Sequence, residues 1–164
     1  MPVDRTIDVW DVRGDGRTAL GYILSAYGQQ KPSFNLSHSG DRALVAVSRQ
    51  GPVGVDIERI KAGRPMERIA ARMFSAEETA RAATPLGFYR CWTAKEAYAK
   101  GLGLGLRLAF ASFSVAAIED GRGSVAHPGR APWEVEVIAV GDGYAAAVAA
   151  PAGAWQYELR RWEA

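Results

Sequence analysis

The chain has 164 residues, 48% apolar and 23% charged, which suits one globular domain and excludes a disordered segment. Twenty basic against eighteen acidic side chains leave a formal charge of +2, too small to point to nucleic acid. A single cysteine, Cys91, excludes an internal disulfide; with no basic-then-apolar leader and no apolar run near the roughly 20 residues that span a bilayer, a soluble cytoplasmic protein is expected.

Thr6 to Val12 alternates as a first strand, and Gly14-Asp15-Gly16 reads as a turn. Arg17 to Tyr27 carries Leu20, Ile23, Leu24 and Tyr27 at helical spacing and is closed by Gly28. Two strands follow, near Ala43 to Ser48 and Val53 to Glu58; the short join at Arg49 to Pro52 predicts a hairpin. Pro65 opens a helix with Met66, Ile69, Ala70 and Met73 on its apolar face, and Ser75-Ala76-Glu77-Glu78 has capping-box spacing for a second helix that ends before Pro85. A third helix runs from about Leu86 to Lys100, buries Phe88, Cys91 and Trp92, and stops at Gly101, where a glycine-rich loop begins. Strands are then expected at Phe113 to Ile118, Trp133 to Val140, Gly143 to Ala149 and Trp155 to Arg160, with turns at Glu119 to Gly123 and Gly141 to Gly143. This order is α+β and not a repeating βα one, and two similar halves packed together would fit it.

The chemistry concentrates in few residues. Asp56 and Glu58 stand two apart in the strand that holds Val53, Val55 and Ile57, so the period of two places both carboxylates on one face and the apolar residues on the other. Glu96, on the third central helix, completes a three-carboxylate cluster if the fold brings helix and strand together. A few oxygen ligands of this kind suit Mg²⁺, which keeps several waters and binds substrate phosphates.

Phe34-Asn35-Leu36-Ser37-His38-Ser39-Gly40, Gly54-Val55-Asp56-Ile57-Glu58, Arg72-Met73-Phe74-Ser75-Ala76-Glu77-Glu78 and the stretch from Trp92 to Leu106 follow one another in an order that resembles the 4′-phosphopantetheinyl transferases, in particular the longer, surfactin-synthetase-activating (Sfp) type. The resemblance runs from about Arg17 to Ala149. It implies one transferase domain of two similar α/β halves, an N-terminal one of about residues 1–60 and a C-terminal one of about 61–164. It also implies transfer of the phosphopantetheine arm of coenzyme A to a serine of an acyl or peptidyl carrier protein, with release of adenosine 3′,5′-bisphosphate. By the same resemblance Asp56, Glu58 and Glu96 hold Mg²⁺, while Glu96, Lys100 and Asp56 form the catalytic group, Lys100 being the likelier phosphate contact of the lysines that flank Glu96. Arg17, Thr18, Lys31, Ser37, His38, Lys95 and Lys100 then contact coenzyme A. The form Trp-x-x-Lys-Glu-Ala resembles members that serve polyketide and nonribosomal peptide pathways.

Two departures accompany the resemblance. The lysine-proline pair Lys31-Pro32 directly abuts Ser33-Phe34, and only Asp11 to Gly16 separates the first strand from Arg17 where relatives carry a longer, basic segment. A shortened N-terminal half implies weaker grip on the nucleotide and exposed apolar surface, hence a monomer or a weak homodimer.

Simpler readings compete. Asp56 and Glu58 also fit a solvated strand face, Glu96 and Lys100 a surface ion pair four apart on a helix, and His38 a Ser-His-Ser turn. Lys95 fits an idle surface position, and His127 a loop. The arginines Arg64, Arg68, Arg72, Arg81 and Arg90 suit either an acidic carrier protein or plain solvent. Rival functions are a catalytically weak homologue that binds coenzyme A or a carrier protein, and an unrelated Mg²⁺-dependent phosphate enzyme; the absence of a Gly-x-x-x-x-Gly-Lys-Ser/Thr loop counts against a P-loop nucleotidase.

Overall fold

The computed structural model describes residues 5–116 and 121–163. In chain order the elements are β1 (Arg5–Arg13), α1 (Gly16–Ser25), β2 (Ser33–Ser39), β3 (Arg42–Ser48), β4 (Gly54–Arg59), α2 (Met66–Met73), α3 (Ala76–Arg81), α4 (Pro85–Gly101), β5 (Ser114–Val115), β6 (Arg122–Ala126), β7 (Trp133–Val137), β8 (Tyr144–Pro151) and β9 (Trp155–Trp162). Short 3₁₀ turns at Gly105–Arg107 and Phe110–Ser112 link α4 to β5.

The strands form two sheets, ordered β2-β3-β1-β9 and β4-β8-β7-β6-β5. Alternation along each strand divides its side chains between two layers. Ile7, Val9, Leu44 and Ala46 of the first sheet meet Val55, Ile57, Ala146 and Val148 of the second, in a core between the sheets. The opposite face of the first sheet, Val12, Ala43, Val45 and Val47, packs on Ala19 and Ile23 of α1. The opposite face of the second, Val135, Ala147 and Ala149, packs on Ala94, Ala97 and Tyr98 of α4. The architecture is therefore α+β, helix-sheet-sheet-helix, with each half a helix on a sheet. Strand β3 is covered on both faces, and all seven of its residues are buried.

Local signals behave as their chemistry requires. Asp15 caps α1 by accepting the Arg17 N–H at 3.0 Å. Ser75 and Glu78 form a reciprocal capping box, with Glu78 N–H donating to Ser75 Oγ at 3.2 Å and Ser75 N–H donating to Glu78 Oε1 at 2.8 Å. Pro85 opens α4 behind the cap residue Thr84.

Several expectations need correction. No hairpin joins β3 to β4: β3 pairs with β1 and β2, while β4 pairs with β8 in the other sheet. The residues Ser33–Ser39 are a strand and not a Ser-His-Ser turn. A cut near residue 60 does not separate the halves, because β4 already belongs to the second sheet and β9 returns to pair in parallel with β1. Strand β6 begins at Arg122, inside the expected turn, whose residues Glu119 and Asp120 lie outside the described residues, as does the end of the strand expected at Phe113 to Ile118.

Candidate active site

Pairing places Asp56 opposite Ala147 and Glu58 opposite Ala145, so both carboxylates lie on the face of the second sheet that carries α4. Their neighbours Val55 and Ile57 point into the inter-sheet core. Close approach of β4 to the helix depends on Gly54, since a Cβ there would lie 1.8 Å from the Ala97 carbonyl oxygen.

Asp56 is almost wholly buried, at 5% exposure. Its Oδ1 accepts from Ser37 Oγ at 2.9 Å and lies 3.9 Å from Lys100 Nζ, while Oδ2 has no hydrogen-bond partner. Burial pushes this carboxyl up to about 8; the Lys100 ammonium pulls it down, and Glu96 and Glu58 push it further up. Burial likewise raises Glu96, with Lys100 opposing and Glu58 adding. Lys100 is lowered by burial against the upward pull of Asp56, Glu96 and Glu58. The helix on β4 thus brings the three acids and Lys100 into one another's electrostatic reach. No ion pair joins Glu96 to Lys100, and among the described residues no group of three or more His, Cys, Asp or Glu side chains is gathered closely enough to form a metal cage.

Lys100 serves a structural purpose as well. Its Nζ donates to Leu36 O of β2 at 3.0 Å and to Val55 O of β4 at 2.7 Å, and so ties one sheet to the other.

On the other side of β2, Arg17 and His38 line a cavity of about 190 Å³ with Gly14, Asp15, Gly16, Leu36 and Gly40. The N-terminus of α1 opens here, but its Arg17 and Ala19 N–H groups are taken by Asp15, so the Arg17 side chain is the cationic group this lining offers an anion. Gly16 permits the tight packing of α1, since a Cβ would lie 2.6 Å from Ala43 Cβ. Thr18 is occupied with the cap: its Oγ1 donates to Asp15 Oδ2 at 2.5 Å. Lys31 is exposed on the link between α1 and β2, outside this lining. Ser37 faces Asp56 and not the cavity.

Lys95 is corrected from a cofactor contact to a core residue. It is fully buried, and its ammonium donates to Glu78 Oε1 at 2.8 Å and to Phe113 O at 2.7 Å. Glu78 does more than cap α3. Its Oε2 accepts the Val115 N–H at 2.9 Å, so one carboxylate joins the start of α3, the body of α4 and strand β5. His127 is likewise more than a loop residue, its Nδ1 lying 2.7 Å from Tyr98 Oη. Among the basic residues set aside for docking, Arg64, Arg68, Arg72 and Arg90 are exposed, whereas Arg81 is half-buried and donates to Val115 O at 2.6 Å.

Comparison with known proteins follows the same residues. A family model described as the 4′-phosphopantetheinyl transferase superfamily matches residues 52–149, which span β4, α4 and β8. The 4′-phosphopantetheinyl transferase psf-1 of Bacillus pumilus is 33% identical across 97% of this chain and 67% of that protein. The 4′-phosphopantetheinyl transferase Sfp of Bacillus subtilis strain 168 is 37% identical across 71% of this chain and 54% of that protein. The fold resembles that of holo-[acyl-carrier-protein] synthase from Helicobacter pylori, solved in complex with coenzyme A, with a TM-score of 0.52 and 17% identity over 61% of this chain and 99% of that one. The chain belongs to the 4′-phosphopantetheinyl transferase superfamily. It spans between about half and two thirds of the length of these Bacillus relatives.

Proposed function

We propose that the chain transfers the 4′-phosphopantetheine arm of coenzyme A to a serine of an acyl or peptidyl carrier protein and releases adenosine 3′,5′-bisphosphate. The observation that carries this reading is Asp56: a buried carboxylate with one oxygen fixed by Ser37 and the other unpartnered, in the field of Glu58, Glu96 and Lys100.

An unpaired buried carboxylate is costly unless it is protonated or meets a cation. The donor set of Asp56, Glu58 and Glu96 suits Mg²⁺ in its hard oxygens and low ligand number, although the three acids are not gathered into a closed cage. When bound there, Mg²⁺ would neutralise pyrophosphate charge. The residues themselves supply the rest. Arg17 and His38 bind the nucleotide end of coenzyme A in the cavity beside β2. The carrier serine oxygen forms a bond to the phosphorus that bears the pantetheine arm, and the bond from that phosphorus to the bridging oxygen breaks. The bridging oxygen leaves with the nucleotide. Glu96 takes the serine proton; it is half-exposed, and its raised affinity for a proton suits a general base. Lys100 holds β2 and β4 together through two carbonyls and places its charge beside Asp56.

The reaction would occur in the cytoplasm, where coenzyme A and apo carrier proteins meet. Among the described residues no helix is long and apolar enough to cross a membrane.

Incubation with coenzyme A, Mg²⁺ and a panel of apo acyl and peptidyl carrier proteins, followed by mass spectrometry of the carrier, is expected to show the added phosphopantetheine. Unmodified carriers throughout the panel would overturn the assignment, and binding of coenzyme A without transfer would favour a binding homologue.

A further inference from the structure

Strands β2 and β4 are edge strands of different sheets and lie side by side, yet no backbone ladder pairs them. Three side chains of β2 take the place of a partner strand. Val55 N–H donates to Asn35 Oδ1 at 2.9 Å, Ile57 N–H to Ser37 Oγ at 3.1 Å, and Arg59 N–H to Ser39 Oγ at 2.9 Å. Both strands contribute every second residue, so the contact is a regular ladder with side-chain rungs. Sheet edges expose a row of amides that must find acceptors; here short polar side chains supply them, and a neighbouring backbone would hold the strands closer together.

The opposite face of β2 carries Leu36 and His38 into the cavity of α1, where Arg17 also lies. One strand therefore presents the cavity's residues on one face and grips the carboxylate strand with the other. Ser37 links the two functions most directly, since its hydroxyl accepts from Ile57 N–H and donates to Asp56 Oδ1.

Resting on the transferase reading above, we propose that Asn35, Ser37 and Ser39 are positioning residues that set the distance and register between the anion cavity at α1 and the carboxylates of β4. A substrate that spans both, with its nucleotide on one side of β2 and its pyrophosphate at Asp56, senses any slip of the seam as a displaced phosphorus. Misplacement by about 1 Å can cost on the order of a hundredfold in rate. The ladder need not touch substrate to act in this way.

The test uses Asn35→Leu and Ser39→Ala, which remove an acceptor, beside Asn35→Asp and Ser39→Thr, which keep one. The full chain is assayed for kcat and KM with coenzyme A, and separately for binding of Mn²⁺ alone by electron paramagnetic resonance and of adenosine 3′,5′-bisphosphate alone by calorimetry. The first pair is expected to lose kcat by roughly ten- to a hundredfold and to bind each ligand alone as the parent does. The acceptor-keeping pair is expected to regain most of the rate. Parental kcat in both acceptor-removing variants, or a loss that the acceptor-keeping variants do not relieve, overturns the proposal. If Asn35→Leu fails to fold, Ser39→Ala at the exposed rung decides alone. A parent chain that transfers while the variants match it sinks only this inference; a parent that does not transfer sinks the transferase reading and this inference with it.

Discussion

The ammonium of Lys95 lies 2.8 Å from Glu78 Oε1, and both side chains are wholly buried. The next residue of α4, Glu96, is half-exposed and belongs to the carboxylate group around Asp56. Two adjacent charged residues thus face different ways, one into the core and the other toward Asp56. Lys95→Met leaves the Glu78 carboxylate buried without its cation, and a loss of about 3–5 kcal/mol is expected by urea denaturation. Adding Glu78→Gln to that variant is expected to recover part of the loss, because the uncompensated charge is gone. A single variant within about 0.5 kcal/mol of the parent would show that the pair does not hold the helix.

Asp56 makes stability depend on pH in a direction opposite to that of an ordinary salt-bridged carboxylate. Its native carboxyl is pushed from 3.8 up to about 8, chiefly by burial. Between those values the native state holds a proton that the unfolded chain has released, so stability falls as pH rises through the window. Thermal melts in chelator from about pH 5 to pH 9 should show this decline, and Asp56→Asn should flatten it. Equal slopes in the two proteins would assign the dependence to other groups.

The same proton competes with a divalent cation. Apparent affinity for Mn²⁺ is therefore expected to rise with pH until Asp56 is ionised near 8, and to become flat in Asp56→Asn at a much weaker level. Calorimetry at several pH values reads this directly, since binding should release a proton on the acid side of that value.

Lys100 carries both a bridge and a charge. Lys100→Met keeps the length of the stem but leaves Leu36 O and Val55 O without their shared donor. A loss of about 2–4 kcal/mol in stability is expected, together with a fall in transfer. Lys100→Arg tests the geometry, because a planar guanidinium does not reproduce a point donor between two carbonyls; full activity in it would show that only charge matters.

Gly54 answers for the distance between strand and helix. With a Cβ only 1.8 Å from Ala97 O and 2.6 Å from Gly101 N, Gly54→Ala must push β4 from α4. Destabilisation of roughly 1–3 kcal/mol or more is expected, with a weaker Mn²⁺ signal from separated acids. A variant with parental melting temperature and metal binding would show that the approach is not needed.

Much of this was legible in the chain itself. The alternation around Asp56 and Glu58 placed both acids on one face because a strand has no other choice, and Ser75 with Glu78 announced a helix start through backbone chemistry alone. Strand β2 is masked in the sequence because the Ser-His-Ser run at Ser37 to Ser39 reads as a turn; only its position beside β4 turns Asn35, Ser37 and Ser39 into rungs. The burial of Lys95 had a weak signal in helix geometry. At about 100° per residue, Glu96 and Lys100 lie about 40° apart while Lys95 and Lys100 lie about 140° apart, so Lys95 and Lys100 never shared a face. The second role of Glu78 had none, since its partners Lys95, Phe113 and Val115 are remote in sequence and local pattern does not report them.

The parallel pairing of β9 with β1 has a consequence for the order in which the molecule is built. Ile7 sits opposite Tyr157, and Val9 opposite Leu159, so β1 waits for the much later β9 before its sheet is complete. Distant pairings of this kind close late. The second sheet, whose strands all lie between Gly54 and Pro151, is finished earlier in synthesis. The sheet that holds β1 is therefore the one that matures last, and a nascent protein would present its carboxylate strand before the sheet under α1 has its final support.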